Sequence, residues 1–155
     1  PGDGPGQFHV PHGIGSDGEQ LYVADRENSR VQIFSPDGDL TSIWDDLARP
    51  AQVHVDPAGN VFVFELGFHT GIFPWHSPDK SKPSSRMSVF DREGNLLTRW
   101  GGNGFPTTPE EFYAAHDVFL DSTGSMYTAE VKAAAATFVG DDTSALPSLR
   151  KFVRV

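Results

Sequence analysis

Residues 10–44 read Val10-Pro11-His12-Gly13-Ile14, then Ser16-Asp17-Gly18, then Leu21-Tyr22-Val23-Ala24-Asp25. After a polar corner come Arg30-Val31-Gln32-Ile33-Phe34, Ser35-Pro36-Asp37-Gly38 and Leu40 to Trp44. Short runs rich in β-branched and aromatic residues, separated by Asp-Gly-type turns, are the pattern of successive hairpins. The alternation in Arg30-Val31-Gln32-Ile33-Phe34 gives a half-buried strand. The order returns from residue 50. Pro50-Ala51-Gln52-Val53 leads to Asp56-Pro57-Ala58-Gly59, Val61-Phe62-Val63-Phe64-Glu65, Arg86-Met87-Ser88-Val89-Phe90, Asp91-Arg92-Glu93-Gly94 and Leu96 to Trp100. A third copy runs through Ala115-His116-Asp117-Val118, Asp121-Ser122-Thr123-Gly124, Met126-Tyr127-Thr128-Ala129-Glu130 and Leu149 to Val155.

Four antiparallel strands recurring at about 40 residues make a propeller blade. His12 to Ala51 is 39 residues; Ala51 to His116 is 65, because residues 66–85 carry an insertion. The sequence therefore predicts an all-β fold, a β-propeller with blades over roughly 4–47, 48–102 and 103–155. A small β-sandwich of unrelated hairpins would not repeat turn, aromatic and acid in register three times. Val131 to Ala136 has helical propensity and falls in the variable corner of the third copy, where it reads as a loop or a single helical turn. The 155 residues suit one domain, yet three blades fall below the four of the smallest ordinary propellers.

Composition narrows the function. The chain has 21 acids against 12 Lys+Arg, a net charge of -9. That balance argues against nucleic acid or an anionic membrane surface as partner, since both need clustered cations. No stretch approaches the roughly 18 apolar residues of a membrane span. Cysteine is absent, which removes disulfide scaffolds and Cys-ligated zinc. Neither a Gly-x-Ser-x-Gly elbow nor a Gly-x-x-x-x-Gly-Lys phosphate loop is present. Pro1 opens without a basic or apolar leader pattern.

The stretch from Gly6-Gln7-Phe8 through Pro11-His12-Gly13-Ile14 to Ala24-Asp25-Arg26-Glu27-Asn28-Ser29-Arg30 resembles the NHL repeat. It looks like the repeats of the peptidyl-α-hydroxyglycine α-amidating lyases, six-bladed propellers, and Ala115-His116-Asp117 resembles that family's last blade. The resemblance implies that about three of an expected six blades are present, in the C-terminal half. On that reading Pro1 is an arbitrary start, Val155 a natural end, and the ring closes with a missing half or a second copy of the chain. It also implies a small peptide substrate and an extracellular, periplasmic or secretory setting.

His12 and His116 fall at the same point of the first and third repeats, at the start of the innermost strand, so both imidazoles can face the channel. In a six-bladed ring alternate blades are about 120° apart around the axis, and a third histidine is then expected on a blade before residue 1. Three histidines plus an open position is a catalytic zinc geometry, and the resemblance implies the same site; the bland alternative is a pair of polar channel residues. Ala51 holds the equivalent place in the middle copy. Arg26 matches an active-site arginine of the family, fit to hold a substrate carboxylate or stabilise developing charge; a salt bridge with Asp25 or Glu27 is the other reading. Asp117 matches an oxygen ligand of a structural calcium ion, or a partner for an imidazole. Asp25, Glu65 and Glu130 recur at one position and read as caps for turn amides, while Arg30 reads as pairing with acids between blades.

In the insertion, Phe68, Phe73 and Trp75 are candidates for a hydrophobic subsite at the rim, and His69 and His76 have no helical ligand spacing. His9 and His54 read as strand-edge residues; Phe34, Trp44, Phe90, Trp100 and Phe152 read as packing between blades. The implied reaction splits a peptidyl α-hydroxyglycine into a peptide amide and glyoxylate, with a tyrosine base expected outside this chain. A non-catalytic NHL propeller serving as a binding scaffold is the alternative.

Overall fold

Turn chemistry repeats at each hairpin end. Asp56 Oδ1 accepts the amides of Ala58 and Asn60 at 2.9 and 2.8 Å, and Asp121 Oδ1 those of Thr123 and Ser125 at 2.9 and 3.0 Å. Gly59 and Gly124 follow with φ of 87° and 81°, a left-handed backbone that glycine adopts without a Cβ penalty. Such caps need only residues within the turn itself. In the computed structural model, which describes residues 1–71 and 73–153, these turns join antiparallel meanders.

The first sheet holds β1 (Pro11–Ser16), β2 (Leu21–Asp25), β3 (Arg30–Phe34) and β4 (Leu40–Trp44), in sequence order. The second repeats the order with β5 (Pro50–Val55), β6 (Val61–Glu65), β7 (Arg86–Phe90) and β8 (Leu96–Gly101). The third pairs β9 (Ala115–Leu120), β10 (Met126–Glu130) and β11 (Leu149–Phe152). A five-residue helix, α1 (Lys132–Ala136), stands in the third corner, the helical one of the two readings, loop or single turn, left open by the sequence. Arg154 and Val155, assigned to the third copy, and Ile72 in the insertion lie outside the described residues. The all-β blade architecture is the one the sequence predicted, and no helix among the described residues is long and apolar enough to cross a membrane.

The sheets stack face to face, each inner strand against the next: β1 on β5, β5 on β9. Tyr22, Val31, Ile33 and Trp44 of the first blade pack on Val53, Val61, Val63 and Phe90 of the second. Phe64, Met87 and Val89 pack on Phe112, Ala115, Val118 and Met126 of the third, with Trp100 and Phe152 at the edge. Each large side chain buried this way contributes about 1.5–3 kcal/mol of hydrophobic stabilisation. The expected inter-blade aromatics are in place except Phe34, which meets Phe8 instead (6.0 Å).

A second repeated device ties each sheet to its approach loop. Asp25 takes the His9 amide at 2.7 Å, Glu65 the Ala48 amide, and Glu130 the Tyr113 amide at 2.7 Å. An arginine at or next to the start of each third strand pairs with that acid: Arg30 with Asp25 at 2.8 Å, Arg86 with Glu65 at 2.9 Å, Arg150 with Glu130 at 3.0 Å. The acids cap turn amides as expected. Arg30, however, pairs within its own blade, because register places it directly opposite Asp25.

Candidate active site at the start of the inner strands

Each inner strand begins with a β-bulge at the same repeat position. Pairing passes from Pro11↔Asp25 to Gly13↔Ala24, from Pro50↔Glu65 to Gln52↔Phe64, and from Ala115↔Glu130 to Asp117↔Ala129. The residues passed over are His12, Ala51 and His116. A bulge leaves one residue unpaired, bends the strand and re-aims its side chain. The imidazoles of His12 and His116 thereby meet edge to face, centroids 4.6 Å apart at 85°, with the small Ala51 on the blade between them.

The backbone of that middle blade also orients the pair. His12 Nδ1 lies 2.7 Å from the Ala51 carbonyl oxygen; a carbonyl only accepts, so Nδ1 is the donor and Nε2 is the ring nitrogen left for a ligand. The approach needs Gly13: a Cβ there would lie 2.4 Å from Gln52 Oε1 and 2.6 Å from the Ala51 oxygen. His116 is held below the ordinary imidazole range, first by burial, then by the charges of His12 and Arg26. The neutral form that a metal ligand requires is thus favoured.

Arg26 begins a 3-10 turn directly after β2 and is buried, 1% exposed. Its Nε donates to Glu27 Oε1 at 2.8 Å, whereas Nη2 is buried without a hydrogen-bond partner. Of the two salt bridges the sequence allowed, the one with Glu27 forms. Asp25 is taken by Arg30, Asn28 and Gln32. Glu27 is shared: Arg49 Nη2 donates to Oε1 at 2.9 Å, and His76 Nε2 lies 3.2 Å from Oε2. Burial pushes the Glu27 carboxyl up, but Arg49 and then Arg26 outweigh it and hold it below the usual carboxylate range. Phe73 stands over the Arg26 guanidinium at 5.3 Å and stacks on Trp75 at 4.6 Å.

Sequence reasoning named Arg26, Phe73 and Trp75 but missed Glu27 as the hub and Arg49 and His76 as its partners. No local signal marked them: the φ of 54° at Arg49, just before the bulge of the second blade, belongs to the fold. Phe68 does not join the aromatic pair; it lies under Lys82 Nζ at 4.8 Å. Asp117 Oδ1 accepts Gln52 Nε2 at 3.0 Å and the Val118 amide at 2.8 Å. Tyr22 donates to Asp17, Tyr127 to Asp121 and Tyr113 to Asp141, so each hydroxyl is engaged with a carboxylate. Tyr22 is pushed up to about 12, first by burial and then by the Asp17 charge. Among the described residues no group of three or more His, Asp or Glu side chains could hold a metal ion; His12 and His116 are a pair. A broad cavity of about 810 Å³ lies around Asp17, Asp56 and Asp121, at the turn end of the inner strands. The titratable side chains with unusual partners are at the bulge end, and that end is the candidate site.

The pattern of the NHL repeat matches residues 8–34. This stretch is an NHL repeat. The mouse protein called NHL repeat-containing protein 3 is 34% identical over 67 residues, covering 40% of this chain. The chain spans about a fifth of that relative's length, 19%. A Bacteroides caccae protein of unknown function superposes with TM-score 0.63 and 14% identity over 90% of this chain and 44% of its own. Virginiamycin B lyase from Staphylococcus aureus gives 0.54 and 13% over 93% and 41%. At such identities the likeness is one of fold: propeller-type blades opened by an NHL repeat.

Proposed function

We propose that this chain supplies two of three histidines of a zinc site in a propeller lyase that splits a peptidyl α-hydroxyglycine into a peptide amide and glyoxylate. One observation carries the reading: His12 and His116, bulged on alternate blades, meet over Ala51, with His12 Nδ1 spent on a carbonyl. That arrangement fits zinc, because a ligating histidine characteristically donates its other ring N–H to a backbone carbonyl or carboxylate. The substrate class comes from the Pro-His-Gly and Ala-Asp-Arg-Glu-Asn resemblance, with the third histidine and a tyrosine base outside this chain.

Bound zinc would act as a Lewis acid that lowers the pKa of the substrate's hydroxyl. Arg26 orients the substrate carboxylate through Nη2 and offsets negative charge developing on the hydroxyl oxygen. The hydroxyl loses its proton, the new carbonyl of glyoxylate forms, and the carbon–nitrogen bond breaks. Its electron pair leaves on the amide nitrogen, which takes up a proton. Asp117 offers calcium a single oxygen, Oδ2, of the six to eight that ion takes, so no step rests on calcium. The extracellular or secretory setting belongs to the same reading.

Metal analysis of the complete protein and an assay for glyoxylate test it. About one zinc per chain, with glyoxylate released from a peptidyl α-hydroxyglycine, is the expected result. Zinc without glyoxylate sinks the substrate. No zinc at all sinks the metal site and leaves a non-catalytic NHL propeller that serves as a binding scaffold.

A further inference from the structure

Arg26 and Arg49 share one carboxylate, Glu27, so their buried cluster carries one more positive than negative charge. His76 does not change that balance upward, since burial and then the Arg49 charge hold its imidazole toward the neutral form. Arg26 Nη2, on a side chain 1% exposed, has no acceptor. A buried cationic donor without an acceptor is costly, and an anion that enters restores the lost interaction. Directly over this guanidinium stands the Phe73 ring, and Trp75 stacks on it at 4.6 Å and 7°. Trp75 is nevertheless 71% exposed, a large flat apolar surface near a guanidinium with one unpartnered nitrogen.

We infer that Arg26 and the Phe73–Trp75 stack form one subsite for a carboxylate whose neighbouring group is flat and apolar. The carboxylate takes Arg26 Nη2 as Phe73 moves off the guanidinium, and the apolar group lies against the aromatic stack. His76, seated against Glu27 and Arg49, anchors the segment while Phe73 moves. In the proposed lyase the carboxylate is that of the glycine unit, and Phe73 and Trp75 select the residue before it. The identity of that carboxylate rests on the lyase reading; the cation and the stack do not.

Calorimetric titration of the full chain with N-benzoylglycine, in the presence of a chelator, tests the subsite without metal or turnover. N-Benzoylglycine is expected to bind about tenfold or more tightly than N-acetylglycine, which lacks the ring, and than benzamide, which lacks the carboxylate. Trp75→Ala, at an exposed position, should weaken it about tenfold with unchanged circular dichroism. Arg26→Gln should abolish the preference for the carboxylate, and Arg26→Lys should keep part of it. Equal affinity for N-acetylglycine, equal affinity for benzamide, an unchanged Trp75→Ala variant or no binding at all overturns the subsite. Binding with chelator present, alongside a complete protein that holds no zinc, would retain the subsite and sink only the metal reading.

Discussion

The imidazoles of His12 and His116 stand edge to face, 4.6 Å between centroids, although 104 residues and one whole blade separate them along the chain. Both are bulged residues at the start of an inner strand, and the residue bulged between them is alanine, 0% exposed. The carbonyl of that alanine takes His12 Nδ1 at 2.7 Å, so the middle blade orients one ring of the pair. The pair is therefore a property of three blades together.

If the two histidines are ligands, each is needed on its own account. His12→Ala and His116→Ala should each lower the zinc affinity of the complete protein by about 100-fold or more, because even outer partners of a ligand cost 10–100-fold. Competition with a chromophoric chelator measures this, and circular dichroism checks the fold. Undiminished zinc affinity in both variants would remove the pair from the metal site.

Gly13→Ala tests the close approach of β1 to β5. The added methyl would lie 2.6 Å from the Ala51 oxygen and 2.7 Å from Gln52 Cα, both backbone atoms that cannot swing aside. We expect a loss of about 1–3 kcal/mol in urea denaturation, the usual cost of overpacking. A variant as stable as the parent would show that the strands can separate freely.

Glu65 and Arg86 form one of the repeated buried acid–arginine pairs, with Glu65 0% exposed. The carboxylate also serves Ala48 N and Ser88 Oγ. Arg86→Met leaves that charge unpaired and should cost about 3–5 kcal/mol. Glu65→Leu combined with Arg86→Met should recover much of the loss in thermal or urea unfolding. If the double variant is no better than Arg86→Met alone, unpaired charge is not the cause.

Acid should undock residues 73–76. Burial, then Arg49, and also Arg26 hold the docked His76 below its ordinary 6.5. A released segment therefore binds a proton more readily than the docked one. Docking is at full strength above 6.5 and weakens as pH falls below it and His76 protonates. Trp75 fluorescence followed from about pH 8 downward should change across this range. His76→Gln should remove that change; an unchanged signal through the acid range in the parent chain would contradict a docked neutral imidazole.

The repeat was legible because its signals are local. Period-2 alternation, an Asp that caps its own turn and a glycine with positive φ need only neighbouring residues, and they recur in register. That register also made His12 equivalent to His116, and made Asp25, Glu65 and Glu130 one structural position. Arg26 was legible only as an alternative between ligand holder and ion-pair partner. Its choice of Glu27 follows from Arg30 standing opposite Asp25 and occupying it. Arg49 and His76 carried no comparable signal, since their meeting on Glu27 depends on where the insertion folds back. By itself the sequence determined the blades, their turns and the equivalence of the two histidines, because strand period and turn caps are short-range physics. Tertiary structure alone decided that the histidines touch over Ala51 and that Arg26 keeps a buried nitrogen unpartnered beneath Phe73. Those outcomes depend on bulge direction, inter-blade packing and loop docking, which no local pattern encodes.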